Sequence, residues 1–247
     1  MPDERSRIRS EFERAAAHFA ERTHGRFDDL SVVEFCGVES GNSVLEVGVG
    51  TGNFLSLFAD VAGELIGVDL TRGMLAQARV RFPHMRLVVG DGAALPIRSS
   101  SIDLVTSAQT LHHIFEPLPV LLEMRRVAAD GGRVLIVDQV ATGRYEEVAA
   151  RNELEALRDP SHGTARPPSA FRMLARAAGL EIVDERVVET TQRMSSWMAP
   201  GEFPEERFDA VNAFIETRGE ETGMDFRKEG GEWVFTRRRI MLLAEQP

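Results

Sequence analysis

Hydrophobic residues along this chain follow two different periods. Between residues 44 and 138, short runs rich in Val, Ile and Leu alternate with longer segments in which apolar residues recur every three or four positions. The runs predict strands and the longer segments predict helices. Such an alternation predicts a parallel sheet with right-handed connections. The predicted strands cover residues 44–47, 64–69, 85–89, 102–106 and 133–138.

Similar patterns continue on both sides of this region. Helices are predicted at 5–22, 28–35, 145–158, 169–178 and 204–218, and strands at 181–191 and 233–243. We expect the last two strands to form a hairpin-like pair with an insertion at 192–230. The two helices before the first strand either pack on the sheet or form a lid over a ligand, and the pattern leaves both open.

The composition narrows the class of protein. With 247 residues, of which 43% are hydrophobic and 28% charged, the chain can bury a full core. Its net charge of −10 disfavours a nucleic-acid partner. It has no apolar run long enough for a membrane span or signal peptide, and Cys36 is its single cysteine. We therefore expect a cytoplasmic protein without a membrane partner, in which Cys36 is a buried apolar residue.

Three glycines at alternate positions follow the first predicted strand, and a helix is predicted to begin after them. They are Gly48, Gly50 and Gly52. A strand, a glycine turn and a helix in this order are typical of the crevice where α/β sheets bind nucleotide-like ligands. Glu46, just before the turn, suits a ligand with positive charge better than a pyrophosphate.

Carboxylates also end the next two predicted strands. Asp69 follows Gly48 at about the interval at which dinucleotide-binding folds hold the ribose hydroxyls, although an N-cap for the following helix is the alternative. Asp91 can accept a hydrogen bond from an exocyclic amine, although a plain turn is its alternative. Both acids are expected at the carboxyl edge of the sheet, where they would face the ligand.

These stretches resemble the motifs of class I S-adenosylmethionine-dependent methyltransferases. Val-Leu-Glu-Val-Gly-Val-Gly-Thr-Gly at 44–52 is similar to the first motif and Gly-Val-Asp-Leu-Thr-Arg-Gly-Met-Leu at 67–75 to the second. Gly-Asp-Gly-Ala-Ala-Leu-Pro at 90–96 is similar to the third. The order of the motifs up to residue 138 is closest to the ubiquinone and menaquinone biosynthesis branch, known as methyltransferase type 11.

The resemblance implies a fold and a division of the chain. The fold is a Rossmann-like α/β fold, with a seven-stranded, mostly parallel sheet whose last strand is antiparallel. We expect a single methyltransferase domain over 1–247. Its expected parts are N-terminal helices at 1–40, a cofactor-binding core at 41–140, a helical cap and acceptor region at 141–230, and the last strand at 231–247.

The resemblance also implies how S-adenosylmethionine would bind. Asp69 would hold the ribose hydroxyls, and the glycine backbone would approach the methionine part. The implied cofactor-binding residues are Glu46, Gly48, Gly50, Gly52, Asp69, Leu70, Asp91, Gly92 and Gln109. A dinucleotide-dependent oxidoreductase is the alternative for the crevice, and it is disfavoured by Glu46 and by Asn53 at the position of the third dinucleotide-binding glycine.

The expected reaction is methyl transfer to oxygen, carbon or nitrogen of a hydrophobic or aromatic small molecule, with S-adenosylhomocysteine as product. A quinone precursor and a secondary metabolite are both open. The alternatives are a cofactor-binding protein that does not methylate, such as a cyclase or binding module, and an RNA or protein methyltransferase. A homodimer is left open. No spacing of His, Cys, Asp and Glu suggests a metal site, so none is predicted.

Catalysis by methyl transfer depends mainly on holding the reactants in line, and a base is needed only if the acceptor loses a proton. His113 and His162 are the candidate bases, and one of the adjoining pair His112 and His113 is expected to be a structural group that hydrogen-bonds the backbone. Arginines 237–239 are expected on a solvated strand face. The acceptor pocket is predicted from the N-terminal helices and residues 145–230, with the apolar set Phe12, Phe19, Phe171, Met173, Met194, Trp197, Met198, Phe203 and Phe208.

Overall fold

The structure is a computed structural model of the chain, and it describes residues 4–22, 25–198 and 204–247. Phe203, one of the predicted pocket residues, lies outside these ranges. None of the helices formed by the described residues is both long and apolar enough to cross a bilayer.

One mixed sheet organises the fold. Its strand order is β3-β2-β1-β4-β5-β8-β6, and β7 pairs with β8 beside this path. The pairs from β3 to β5 are parallel, whereas β8 is antiparallel to both β5 and β6. The strands are β1 Ser43–Val47, β2 Glu64–Asp69, β3 Arg86–Val89, β4 Ile102–Ala108, β5 Ala128–Gln139, β6 Glu181–Arg193, β7 Arg227–Glu229 and β8 Glu232–Glu245.

Eight α-helices connect and cover these strands in the described part of the chain. They are α1 Glu4–Arg22, α2 Val32–Cys36, α3 Arg72–Arg81, α4 Leu118–Val127, α5 Tyr145–Arg158, α6 Pro168–Ala177, α7 Met194–Met198 and α8 Glu205–Arg218. The predicted mostly parallel α/β sheet with an antiparallel last strand is confirmed. The short β7, which pairs with the start of β8, was not predicted.

The sheet is covered on both faces, because successive side chains of a strand point to opposite sides. On one side Leu45 and Ile136 pack with the helices α4 and α6. On the other side Val44 and Val137 pack with the segment around α2, including Cys36. The burial expected for Cys36 is confirmed, and burial raises its pKa to about 12. A third cluster lies under the cap, between α5, α7, α8 and β8.

Two segments differ from the expected helices. After the glycine turn, an α-helix was predicted, but only a 3-10 turn at Leu55–Phe58 forms. Phe54 and Phe58 are both buried there and β2 already begins at Glu64, which leaves little chain for a longer helix. The predicted helix at 28–35 is divided into a 3-10 turn and the short α2, because Ser31 between them adopts a left-handed conformation with φ 47°.

Candidate active site

A cavity of about 310 Å³ opens at the carboxyl edge of the parallel strands. The ends of β1, β2 and β4 and the turn after β3 all line it. This is where open α/β sheets bind ligands. All the predicted cofactor-binding residues line the cavity, with the exception of Gly52. Those that line it are Glu46, Gly48, Gly50, Asp69, Leu70, Asp91, Gly92 and Gln109.

Glu46 is a buried carboxyl group that lines this cavity. Its Oε2 atom has no hydrogen-bond partner among the described residues. Burial raises the pKa of Glu46 well above its ordinary value, a hydrogen bond from the backbone of Leu55 opposes the rise, and the nearby charge of Asp69 adds to it. A cation beside Oε2 would stabilise the ionised form, because an unpaired buried charge is costly.

Asp69 organises the glycine turn. Its two carboxylate oxygens accept hydrogen bonds from the backbone N–H of Gly50 and of Thr71, each at 2.8 Å. Burial raises the pKa of Asp69, and these two amides oppose that rise. Each oxygen keeps lone pairs for further donors, so Asp69 can serve the turn and a ligand hydroxyl together.

The glycines of the turn serve different purposes. A Cβ atom on Gly48 would collide with the side chain of Thr110, so the close approach of the segment after β4 requires glycine there. Around Gly50, a Cβ atom would meet no described atom within 4 Å, which leaves room for a ligand against the backbone. Gly52 faces the ring of Phe82, which a Cβ atom would approach to 2.9 Å, and it shapes the packing of the turn.

Helix α1 forms one wall of the cavity. Arg5, Ile8, Phe12 and Phe19 all line it. The helix is anchored at α3, where the Gly73 backbone N–H donates to Glu13 Oε2 at 2.9 Å. Two positions were predicted for this helix, one packed on the sheet and one over the ligand. In the structure α1 lies over the cavity.

An ion pair joins α1 to the acid that was predicted to bind adenine. Arg5 Nε lies 2.9 Å from Asp91 Oδ2. The other oxygen of Asp91 accepts from the Ala93 backbone N–H at 2.9 Å. A ligand amine that binds Asp91 would therefore share this carboxylate with Arg5.

Gln109 lies just after the end of β4, where the cavity meets a second one. Its backbone is left-handed, with φ 53°, and its N–H donates to the Val137 carbonyl at 2.7 Å. The side-chain Oε1 accepts from Arg237 Nη2 at 2.6 Å, whereas Nε2 has no partner among the described residues. The amide therefore keeps a donor for a ligand at the boundary between the cavities.

His113 lines both cavities. Its Nδ1 lies 3.1 Å from Ser161 Oγ and 3.2 Å from the Ser161 carbonyl. The Ser161 hydroxyl donates to Asp159 Oδ1 at 2.6 Å, so it accepts from His113. Nδ1 therefore carries the proton, and the lone pair is on Nε2. Burial acts to raise the pKa of Asp159, but His113, Arg158 and Ser161 hold it below its ordinary value.

The other two histidines occupy different positions. His112 Nδ1 lies 2.6 Å from Asp138 Oδ1, and its ring centroid is 4.0 Å from that of His113. His162 lines neither cavity; its Nε2 lies 2.9 Å from Asn152 Oδ1, and burial lowers its pKa to about 4. Geometry therefore favours His113 over His162 as a group that can reach a substrate.

Known proteins are similar to this chain in sequence and in fold. A sequence model of the family described as "Methyltransferase domain" matches residues 45–136, which carry all the predicted cofactor-binding residues. Over residues 45–136 the chain is thus similar to the methyltransferase domain family.

Two bacterial proteins illustrate the similarity. The demethylmenaquinone methyltransferase of Renibacterium salmoninarum is 31% identical over 148 residues, which are 59% of this chain and 62% of that protein. The chain thus matches less than two thirds of that relative's length. The uncharacterized methyltransferase YcgJ of Bacillus subtilis is 27% identical over 193 residues, or 76% of each chain. Its crystal structure superposes with a TM-score of 0.81 over 87% of this chain and 96% of the other, at 23% identity.

A more distant structure shares only the fold. The Haemonchus contortus phosphoethanolamine N-methyltransferase 2, solved with phosphomonomethylethanolamine and S-adenosylhomocysteine, superposes with a TM-score of 0.70 at 16% identity. The superposition covers the whole of this chain and 61% of that one.

Among the residues that the structure describes, no group of three or more His, Cys, Asp and Glu could hold a metal ion, and the absence of a metal stays a prediction.

A second cavity of about 370 Å³ lies between α1, β6, α7 and β8. It draws on both regions predicted for an acceptor pocket, but its lining differs from the prediction. Of the nine apolar residues only Phe12, Phe19 and Trp197 line it within the described ranges. Of the others that the structure describes, Phe171, Met194 and Met198 are buried in the cores, while Met173 and Phe208 are exposed.

The arginine run of β8 was wrongly expected on a solvated face. Arg237 and Arg239 line the second cavity, whereas Arg238 points to the opposite side and pairs with Glu189 and Asp225. The alternation of a strand produces this division. These two arginines line the cavity without having been predicted there, and so do Arg26 and His112. The period of two within the run was the available signal.

Proposed function

We propose that this protein transfers a methyl group from S-adenosylmethionine to a small-molecule acceptor. The observation that carries the proposal is the buried, unpartnered Oε2 of Glu46 in a cavity that Asp69 and Asp91 also line within the described chain. These acceptors suit a ligand with a cationic end, two hydroxyls and an exocyclic amine. A dinucleotide would bring its negative pyrophosphate toward Glu46, which like charge disfavours.

The residues present fit the parts of this cofactor. Glu46 would accept a hydrogen bond from the ammonium group, and Arg26, which lines the same cavity, has the charge to attract the cofactor's carboxylate. Asp69 would accept from the ribose hydroxyls while it keeps its bonds to the turn. Leu70 and Asp91 would contact the adenine, with Arg5 moving from Asp91 or sharing it.

When bound, the cofactor would supply a methyl group on a sulfonium, and the electron pair of the carbon–sulfur bond would stay on sulfur as the acceptor atom takes the methyl carbon. Gln109 and His113 line both cavities and would flank the line between the reactants. Holding two reactants in such a line contributes roughly 7–11 kcal/mol to lowering a barrier.

His113 is the residue we propose as general base where the acceptor is a hydroxyl or an amine. Ser161 engages Nδ1, so Nε2 can take the proton that the acceptor loses. His162 would act, if at all, through the buried side chains around it, because it lines neither cavity.

The acceptor that we propose has a ring or another apolar body. Phe12, Phe19 and Trp197 offer aromatic surfaces to the second cavity. The name of the Renibacterium relative supports a quinone-like acceptor, and a secondary metabolite suits the same surfaces. Transfer to oxygen, carbon or nitrogen is compatible with this arrangement.

Calorimetric titration with S-adenosylmethionine and S-adenosylhomocysteine tests the cofactor. We expect both to bind, and Asp69→Ala to weaken binding by roughly tenfold or more, since it removes charge-assisted hydrogen bonds. Asp60→Ala, an exposed acid in the turn before β2, is the matched control and should bind normally. If folded wild-type protein binds neither compound, the proposal fails. Formation of S-adenosylhomocysteine with candidate acceptors then tests the transfer itself.

A further inference from the structure

The second cavity carries more positive than negative charge. Four arginines of the described chain line it, Arg26, Arg158, Arg237 and Arg239, against two acids, Asp29 and Asp159. The histidines of the lining carry no negative charge. An excess of positive charge in the cavity is unexpected in a chain whose net charge is −10. The excess is therefore local to this cavity.

Two of the four arginines are neutralised within the protein. Arg239 forms an ion pair with Asp29. Arg158 Nε lies 3.1 Å from Glu155 Oε2, and its Nη2 lies 3.8 Å from Asp159. Within the described ranges, these pairs leave Arg26 and Arg237 as the cavity charges without an acid.

Arg237 has no carboxylate at ion-pair distance among the described residues. Its one hydrogen bond there goes to Gln109, which is neutral. Arg26 lies over the rings of Phe19 and Phe27, at 5.8 and 5.2 Å from their centroids. Contacts of this kind accommodate a cation but do not cancel its charge.

These two arginines also repel their neighbours. Burial lowers the pKa of Arg237 well below its ordinary value, and the charges of Arg26 and Arg239 lower it further. Burial lowers the pKa of Arg26 to about 10, and the positive charges of Arg239 and Arg158 contribute to this decrease. An anion bound between Arg26 and Arg237 would offset the repulsion between the guanidinium groups. It would also supply the negative charge that these buried cations lack.

A purely structural role does not account for Arg237. The Gln109 oxygen needs only a donor, and a neutral side chain could supply it. Arg238, the next residue in the same strand, shows how this fold satisfies an arginine that has a structural role, with Glu189 at 2.8 Å and Asp225 at 2.7 Å.

We propose that the acceptor carries an oxyanion, a carboxylate or a phosphate, that Arg237 binds in the second cavity. The inference rests on the proposed function, because it takes the first cavity as the cofactor site. Arg26 lines both cavities, and because it is proposed to attract the cofactor's carboxylate, Arg237 is the guanidinium that remains for the acceptor. The body of the acceptor then lies against Phe12, Phe19 and Trp197, and the atom to be methylated points toward Gln109 and His113. A neutral quinone would leave Arg237 without a counter-charge, so the inference narrows the acceptors proposed above to those that carry an acid group.

Binding to protein saturated with S-adenosylhomocysteine tests this assignment, because the product then occupies the first cavity. The probes are benzoate, phenyl phosphate and, as a neutral compound of similar size, benzyl alcohol. We expect one of the anions to bind at least tenfold more tightly than benzyl alcohol, and the stronger of the two identifies the oxyanion. Arg237→Gln should weaken that anion by about tenfold or more. Arg237→Lys should retain part of the affinity.

Arg238→Gln is the matched control, since it removes the same charge from the opposite face of β8. It should leave anion binding unchanged. The inference is overturned if neither anion binds better than benzyl alcohol, or if the Arg237 and Arg238 variants behave alike. Normal binding of S-adenosylhomocysteine by each variant shows that it is folded. Loss of that binding in the wild type would instead contradict the proposed function.

Discussion

The Nδ1 atom of His112 lies 2.6 Å from Oδ1 of Asp138, and both side chains are buried. The same carboxyl accepts from the His112 backbone N–H at 3.0 Å and from the Gln139 N–H at 2.7 Å. Burial raises the pKa of Asp138 to about 6, and it lowers the pKa of His112 with help from His113 and His162. At neutral pH the pair is thus a carboxylate and a neutral imidazole that donates from Nδ1.

Asp138→Asn should destabilise the protein by about 1–3 kcal/mol, because an amide nitrogen would face donors that need an acceptor. Urea denaturation at pH 7 measures the change. Asp225→Asn provides the control, since Asp225 is an exposed partner of Arg238. A midpoint shift equal in the two variants would show that the bonds to His112 contribute nothing particular.

His113→Ala should lower kcat by roughly 10²-fold with an acceptor that loses a proton, the low end of general-base contributions. His162→Ala should have a much smaller effect, because His162 lines neither cavity. Both variants should bind S-adenosylhomocysteine normally. Near wild-type turnover in the His113 variant would remove it as the base.

Glu46 should make the stability of the cofactor-free protein depend on pH. The folded state raises the pKa of Glu46, so it binds a proton more tightly than the unfolded state does. The free energy of unfolding should then decrease as pH rises above about 4.5. Glu46→Gln should show a smaller decrease of Tm between pH 5 and 8, and Glu39→Gln, at an exposed acid before β1, should follow the wild type.

The same residue gives a second measurement. A cationic ligand group beside Glu46 favours its ionised form, so binding of S-adenosylhomocysteine should release protons at a pH above the ordinary pKa of a glutamate, where the buried carboxyl still holds its proton. Calorimetry in buffers of different ionisation enthalpy detects the release. The Glu46→Gln protein should release fewer protons; equal release in the two proteins would assign the protons to another group.

Helix α1 should slow the exit of the cofactor. Glu13 accepts from the first turn of α3 and so fixes α1 over the cavity. Glu13→Gln weakens one exposed charge-assisted bond, for which we expect dissociation of S-adenosylhomocysteine to be about two- to fivefold faster. Stopped-flow displacement measures this rate. Glu11→Gln should not change it, because Glu11 pairs with Arg14 inside α1.

The sequence was informative wherever neighbours in the chain are also neighbours in the site. Glu46, Asp69 and Asp91 each end or follow a predicted strand, so their common position follows from the parallel order of the strands. The helix expected after the glycine turn was wrong because burial of Phe54 and Phe58 outweighed the local preference. Local pattern alone does not contain that packing.

The second cavity was harder to predict from the sequence, since its walls come from distant segments of the chain. Arg237 in β8 donates a hydrogen bond to Gln109, which follows β4. Arg239 forms an ion pair with Asp29, which lies near the other end of the chain. Nothing in the composition of the cap indicates which of its apolar residues face a ligand. Met173 and Phe171 are close in sequence, yet one is exposed and the other lies in the core.

The left-handed backbone of Gln109 has an energetic meaning. A residue with a Cβ atom in this conformation is less stable than in a regular strand by about 1–2 kcal/mol. The bond from its N–H to Val137 holds the conformation in place before any ligand arrives. The protein therefore carries a small conformational strain in its resting state, and this strained backbone holds the Gln109 side-chain amide between the two cavities.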